Sequence, residues 1–154
     1  MQSIIHLKRA TLSDAEAMHL MQVRAFLPLY EKYRDTAISP ACESVERVRE
    51  KIVTGRYYFI LHGSTAVGGV RVTLNPGRRK GISPLFILWE YQNRGYAQRA
   101  IAAVEALHGA DNWRLNTILE EPGNCHLYEK LGYVRVGLPQ RVRANMTIID
   151  YEKG

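Results

Sequence analysis

The spacing of apolar and polar residues changes period several times along this chain, and each change marks an element. Ile4-Ile5-His6-Leu7-Lys8 alternates weakly and begins with β-branched residues, which predicts a first strand. A helix is expected next. Ser13 and Glu16 have the spacing of a capping box, and Ala17, Leu20, Met21 and Val23 to Phe26 supply an apolar face up to Pro28. Ser39-Pro40 reads as a second helix start, with Val45, Val48 and Ile52 on one face. After Gly55 the period turns to two. Tyr57 to Leu61 and Ala66 to Leu74 then form an expected antiparallel hairpin around His62-Gly63-Ser64-Thr65, and Gly68-Gly69 predicts a bulge or a close approach.

Ile82 to Trp89 is apolar on both faces, as in a central strand, with Pro84 expected near its start or at a bulge. Ala97, Ala100, Ile101, Val104 and Leu107 recur at helical spacing as far as Gly109. Trp113 to Leu119 is a further strand. Cys125 to Leu131 is a short helix capped by Asn124 and ended by Gly132, and Tyr133 to Val136 and Asn145 to Tyr151 are the last strands, joined by a loop from Gly137. The order β-α-α-β-β-β-α-β-α-β-β predicts one α+β domain over residues 1–154, with a mixed, mostly antiparallel sheet flanked by helices.

Composition adds limits. In 154 residues, 46% hydrophobic and 23% charged content is that of a folded domain rather than a disordered chain. No apolar run is long enough to span a bilayer. The net charge of +6 suits an anionic partner: nucleic acid, a membrane surface or a polyphosphate. Two cysteines, Cys42 and Cys125, and no signal-peptide pattern lead us to expect the cytosol and no disulfide framework. The scattered histidines lead us to expect no metal.

Candidate chemistry concentrates at the junction after the central strand. Gln92-Asn93-Arg94-Gly95-Tyr96-Ala97 places a glycine and a small residue where a helix begins, and the unpaired N–H groups there suit a phosphate. Arg78-Arg79-Lys80 is the best nucleic-acid candidate, but a solvated basic turn is the favoured reading because a polynucleotide needs a whole basic face. Leu29 to Asp35 is dense in aromatic and charged residues and reads either as a pocket wall or as an exposed helix end. Cys125-His126 is a weak nucleophile-base pair, since adjacent helical residues point apart.

Gln92-Asn93-Arg94-Gly95-Tyr96-Ala97 resembles the Gln/Arg-x-x-Gly-x-Gly/Ala motif of the GNAT superfamily of acyl-CoA-dependent N-acyltransferases. Leu127-Tyr128-Glu129-Lys130-Leu131-Gly132-Tyr133 is similar to that family's later motif, and the expected elements follow the family's order over nearly the whole chain. The resemblance implies acetyl-CoA as donor and no metal. Main-chain groups of Phe86, Ile87 and Leu88 would hold the pantetheine arm, Gln92 and the N–H groups from Asn93 through Arg94, Gly95, Tyr96, Ala97 and Gln98 the diphosphate, and Asn124 a further part of the coenzyme. Arg94 and Arg99 could add charge or be solvated.

Tyr128 would protonate the departing thiolate. Glu120 is the first candidate for general base, ahead of Glu121 and Glu90, with an ordered water as the other route. Tyr30, Tyr33, Asp35 and the loop Gly137 to Arg143 would meet the acceptor. The chain departs from the family pattern at Trp89, where many members have proline, and at Glu121, where the commoner asparagine stands. The implied activity is acetyl transfer from acetyl-CoA to a primary amine, a small molecule or peptide, in a ternary complex. A non-catalytic acyl-CoA sensor or an anionic-polymer binder is the alternative. An amine acceptor is the expected partner, nucleic acid and membrane are not, and a homodimer is left open.

Overall fold

The chain runs as β1 (Ile5–Arg9), α1 (Ala15–Tyr33), α2 (Val45–Thr54), β2 (Arg56–His62), β3 (Thr65–Thr73), β4 (Lys80–Ile87), α3 (Tyr96–His108), β5 (Trp113–Ile118), α4 (Pro122–Lys130), β6 (Val134–Arg143) and β7 (Met146–Lys153) in a computed structural model that describes residues 4–154. This is the order that the periodicity predicts. The strands form one sheet in the order β1-β2-β3-β4-β5-β7-β6, and every pair is antiparallel except β4–β5.

Helices cover both faces of that sheet. The alternation along β2 divides its side chains accordingly: Tyr57 and Phe59 join Met18, Val48 and Ile52 beneath α1 and α2, while Tyr58 and Ile60 join Ile101 and Val104 beneath α3. Gly68 sits where a Cβ would run into the main-chain carbonyl of Phe86, so the expected close approach is that of β3 to β4. Pro84 falls where the β3–β4 register shifts between Val70 and Val72, and the ladder there does not require its missing N–H.

Several boundaries differ from expectation. The first capping box is Thr11 with Asp14, whose carboxylate accepts from the Thr11 N–H at 2.8 Å, rather than Ser13 with Glu16. α1 continues through Pro28 to Tyr33. A proline inside a helix costs roughly 3 kcal/mol, but the turns on both sides are anchored: Gln22 and Tyr33 are buried, and the Tyr33 hydroxyl donates to Glu121 at 2.5 Å. Ser39 caps only a single 3₁₀ turn, and α2 starts later, with the Ser44 hydroxyl accepting from the Arg47 N–H at 3.1 Å.

Asn124 is not the cap of α4. Glu121 holds the cap position and Pro122 opens the first turn, where proline's fixed φ suits the helix. The expected loop Gly137 to Arg143 is instead the outer half of β6, whose pairing with β7 resumes at Gln140 after an irregularity around Pro139. Proline is tolerated there because β6 is an edge strand.

Candidate functional site

The neighbouring parallel strands β4 and β5 pair only at Lys80 with Trp113 and Gly81 with Arg114, then separate. β4 stays bound to β3 as far as Gly68 opposite Ile87, and β5 stays bound to β7 as far as Ile118 opposite Ile148. The edges that face each other across the gap therefore carry main-chain groups with no strand partner, and a cleft of about 750 Å³ opens there. Ile82 to Ile87 line one side and Asn116, Thr117 and Ile118 the other. Leu88 differs from expectation. Its N–H donates to the Val67 carbonyl at 2.8 Å and it lies outside the cleft wall, so of the three expected β4 residues Phe86 and Ile87 face the cleft.

α3 begins at the mouth of this gap. Gly95 caps it with φ of 78° and Asn93 has φ of 63°, a left-handed pair that swings the loop clear of the helix axis. The first turn closes with the Arg99 N–H donating to the Gly95 carbonyl at 3.1 Å, so the preceding N–H groups point out of the helix end with its positive dipole. Gln92, Asn93, Gly95, Tyr96, Ala97 and Gln98 all line the cleft. Gln92 also braces the loop, its amide donating to the Ile87 carbonyl at 3.0 Å. Arg94 and Arg99 return to loop carbonyls, those of Glu90 and Gly95 at 3.3 Å each, which keeps both guanidinium groups beside the helix start.

Tyr128 comes from α4 and forms part of the opposite wall with Gly123, Asn124 and Leu127. It is buried between Tyr133 and Tyr151, both with ring centroids 5.9 Å away, and burial pushes its phenol up to about 12. Its hydroxyl meets no hydrogen-bond partner among the described residues. Cys125 is buried one turn earlier, with its thiol directed at the Ile118 carbonyl, while His126 is exposed. The two do not face each other.

The other expected site residues separate. Glu120 lies off the cleft wall: its carboxylate accepts from the Thr147 N–H at 2.7 Å and the Thr147 hydroxyl at 2.8 Å, which holds its carboxyl below the usual range and makes it a poor proton acceptor. Glu121 joins α1 to α4, accepting from Lys32 at 2.7 Å and from Tyr33. Tyr33 is thus a buried tie, and Tyr30 bonds Thr36 at 3.0 Å; neither reaches the cleft, whereas Asp35 does. The outer half of β6 does not line it either. Trp89 is 78% exposed in a short turn after β4 and forms no wall.

Two of the three basic residues at 78–80 fold inward. Arg79 donates to the Gly154 carbonyl at 2.7 Å, and Lys80 donates to the His108 carbonyl at 2.7 Å while lying over the Trp113 ring. This leaves no basic face at that turn. Asn116 and Thr117 were not named singly, although the family resemblance implies a coenzyme where the strand Ile82 to Trp89 diverges from the strand Trp113 to Leu119. The signal was a polar break inside a strand, and it becomes meaningful only once β5 is known to have a free edge. Among the described residues no group of three His, Cys, Asp or Glu side chains could hold a metal ion, and no helix is long and apolar enough to cross a membrane.

The site residues lie within or beside the 24–133 segment that matches the sequence profile described as the acetyltransferase (GNAT) family. No curated protein matches the sequence. Among solved structures, PaiA N-acetyltransferase from Thermoplasma acidophilum, in complex with coenzyme A, aligns over 100% of both chains with a TM-score of 0.77 and 16% identity. An acetyltransferase from Thermus thermophilus aligns over 96% of each chain with a TM-score of 0.70 and 18% identity. A spermidine N-acetyltransferase chimera from Vibrio cholerae and hSSAT covers 98% of this chain and 96% of its own, with a TM-score of 0.72 and 18% identity. At these identities the likeness is one of fold.

Proposed function

The chain belongs to the acetyltransferase (GNAT) family, and from that premise we propose that it transfers an acetyl group from acetyl-CoA to a primary amine by direct attack in a ternary complex. The observation that carries this reading is the gap between β4 and β5, which opens beside the unpaired N-terminus of α3 and has Tyr128 on its wall.

Acetyl-CoA supplies an activated thioester. The N–H groups from Asn93 to Gln98 would hold its diphosphate, because anion binding at a helix start uses donors that the helix itself leaves unpaired. The main-chain edge of β4 that faces the gap, on the side of the Ile87 N–H and opposite the Phe86 carbonyl that meets β3, would hold the pantetheine arm by adding hydrogen bonds along β4, and one N–H there would polarise the thioester carbonyl. Asn124, on the first turn of α4, lines the cleft and would contact the coenzyme there.

In the transfer, the acceptor nitrogen bonds the carbonyl carbon, the carbon–sulfur bond breaks, and the Tyr128 hydroxyl donates its proton to sulfur. The surplus proton on nitrogen leaves to water, and Tyr128 is reprotonated from solvent. The bonding of Glu120 to Thr147 supports the water route over that carboxylate. The buried Cys125 thiol, directed away from His126, supports direct attack over an acyl-cysteine.

The reading is tested by incubating the protein with acetyl-CoA and a panel of primary amines, with free thiol and N-acetyl product measured together. Amine-dependent release of both in equal amounts is expected, with no acetyl adduct on Cys125 by mass spectrometry. Thiol release that does not depend on any amine, or an acetylated Cys125 competent to pass its acetyl group on, would overturn it.

A further inference from the structure

The acceptor end of the cleft carries a feature that selects a class of amine. Asp35 is the one charged side chain among the described residues of the cleft wall, in a chain whose net charge is +6. It is 9% exposed, and its Oδ1 is buried with no hydrogen-bond partner. Burying a carboxylate oxygen without a partner is costly, and no described donor bonds the Asp35 Oδ1.

The cations of α1 and of the residue that ends it are engaged with other groups. Lys32 pairs with Glu121 at 2.7 Å, Arg24 with Glu90 at 3.1 Å, and the Arg34 guanidinium lies over the Tyr30 ring at 5.5 Å. The backbone is held firmly. Arg34 ends α1 with φ of 53°, and the Asp35 carbonyl accepts from the N–H groups of Ile38 and Ser39 at 3.0 and 2.8 Å. On the same wall, α1 and the following turn contribute Phe26, Leu29, Ile38 and Pro40, which are apolar.

We infer that the acceptor is a small amine with a single positive charge on an apolar body, that Asp35 receives its ammonium group, and that the bound nitrogen gives one proton to water before it attacks. An ammonium satisfies the buried carboxylate, and the body covers the apolar wall. A polyamine would bring further charges that meet no second carboxylate on the wall, and an amino acid would bring its own carboxylate against Asp35. Asp35 is a substrate-binding residue in this account. Losing one charge-assisted bond should weaken binding about tenfold to a hundredfold.

The inference rests on the acetyl-transfer reading for its reaction, so its test measures binding first. With the protein saturated in coenzyme A, the affinities of 2-phenylethylamine, the neutral isostere 2-phenylethanol, spermidine and phenylalanine are compared by calorimetry for the wild type and Asp35→Asn. The wild type is expected to bind 2-phenylethylamine at least tenfold more tightly than each of the others. In Asp35→Asn the preference over 2-phenylethanol should fall to about one, with the coenzyme A dependent rise in melting temperature unchanged as evidence of an intact fold.

Turnover should follow, with KM for the amine raised at least tenfold in Asp35→Asn and kcat altered far less. Equal discrimination by Asp35→Asn, or tighter wild-type binding of spermidine than of the monoamine, would overturn the inference. Selective amine binding with no acetylated product would uphold it and sink the transfer reading instead.

Discussion

A tyrosine buried among aromatic rings serves better as a proton donor than as a base, because burial disfavours the charged phenolate. Tyr128 is such a residue, pushed up to about 12, so it remains protonated throughout the pH range of ordinary assays. Tyr128→Phe is expected to lower kcat by about a hundredfold or more while leaving the coenzyme A dependent rise in melting temperature in place. At saturating amine the wild-type kcat should rise with pH as the bound amine loses its proton, and show no decline from phenol ionisation below pH about 10. An unchanged kcat in Tyr128→Phe would remove the assigned role. The family resemblance marked this tyrosine, and it marked Asp35 only together with Tyr30 and Tyr33 of the same segment. It could not rank Glu120, Tyr30 and Tyr33, whose partners Thr147, Thr36 and Glu121 include long-range contacts that only the fold creates. A carboxylate's value as a base depends on what already holds it.

The strand-loop-helix unit from β4 to α3 was legible apart from the strand's end, where Leu88 and Trp89 leave β4 for a short turn, because a single signal covers it: an apolar run, a glycine that must adopt positive φ, then a 3.6 period. Gly95→Val tests that unit. At φ of 78° a β-branched side chain is strained by roughly 1–2 kcal/mol, and its Cβ would approach the Arg99 guanidinium at 3.5 Å. The expected result is at least a tenfold rise in the Kd for coenzyme A, with a folded protein by circular dichroism. Less legible were elements whose boundaries depend on proline. Pro28, Pro122 and Pro139 occur respectively inside a helix, at a helix start and within an edge strand, and sequence alone treats all three as breaks.

The β5–β7 pairing carries a separate expectation. Glu120 fastens the end of β5 to Thr147, and those bonds favour its ionised form, so its folded pKa is depressed. Its contribution to stability is therefore present above the usual carboxylate range near pH 4.5 and lost as pH falls through the lower, folded value. Glu120→Gln should flatten the fall in melting temperature on acidification from pH 5 to 3, while acetyl transfer at neutral pH persists if water is the proton acceptor. Loss of transfer with the fold intact would restore Glu120 as the base.

The separation of β4 and β5 gives the whole molecule an incompletely bonded centre. Both strands are fixed on their outer edges and pair with each other only at Lys80–Trp113 and Gly81–Arg114. A ligand that bonds the free edge of β4 and also rests on α3 would join the two parts of the sheet, so coenzyme binding should stabilise the fold as a unit. At a concentration one hundred times its Kd, coenzyme A is expected to add about 2.7 kcal/mol, a rise in melting temperature of roughly 5–11 °C for a chain of this length. The same binding should slow amide hydrogen exchange at the β4 positions that face the gap and at the start of α3, and leave β1 and β6 little changed. A temperature shift without that local protection would place the coenzyme elsewhere on the molecule. Protection confined to α3 would mean that the diphosphate binds but the pantetheine arm does not enter the sheet.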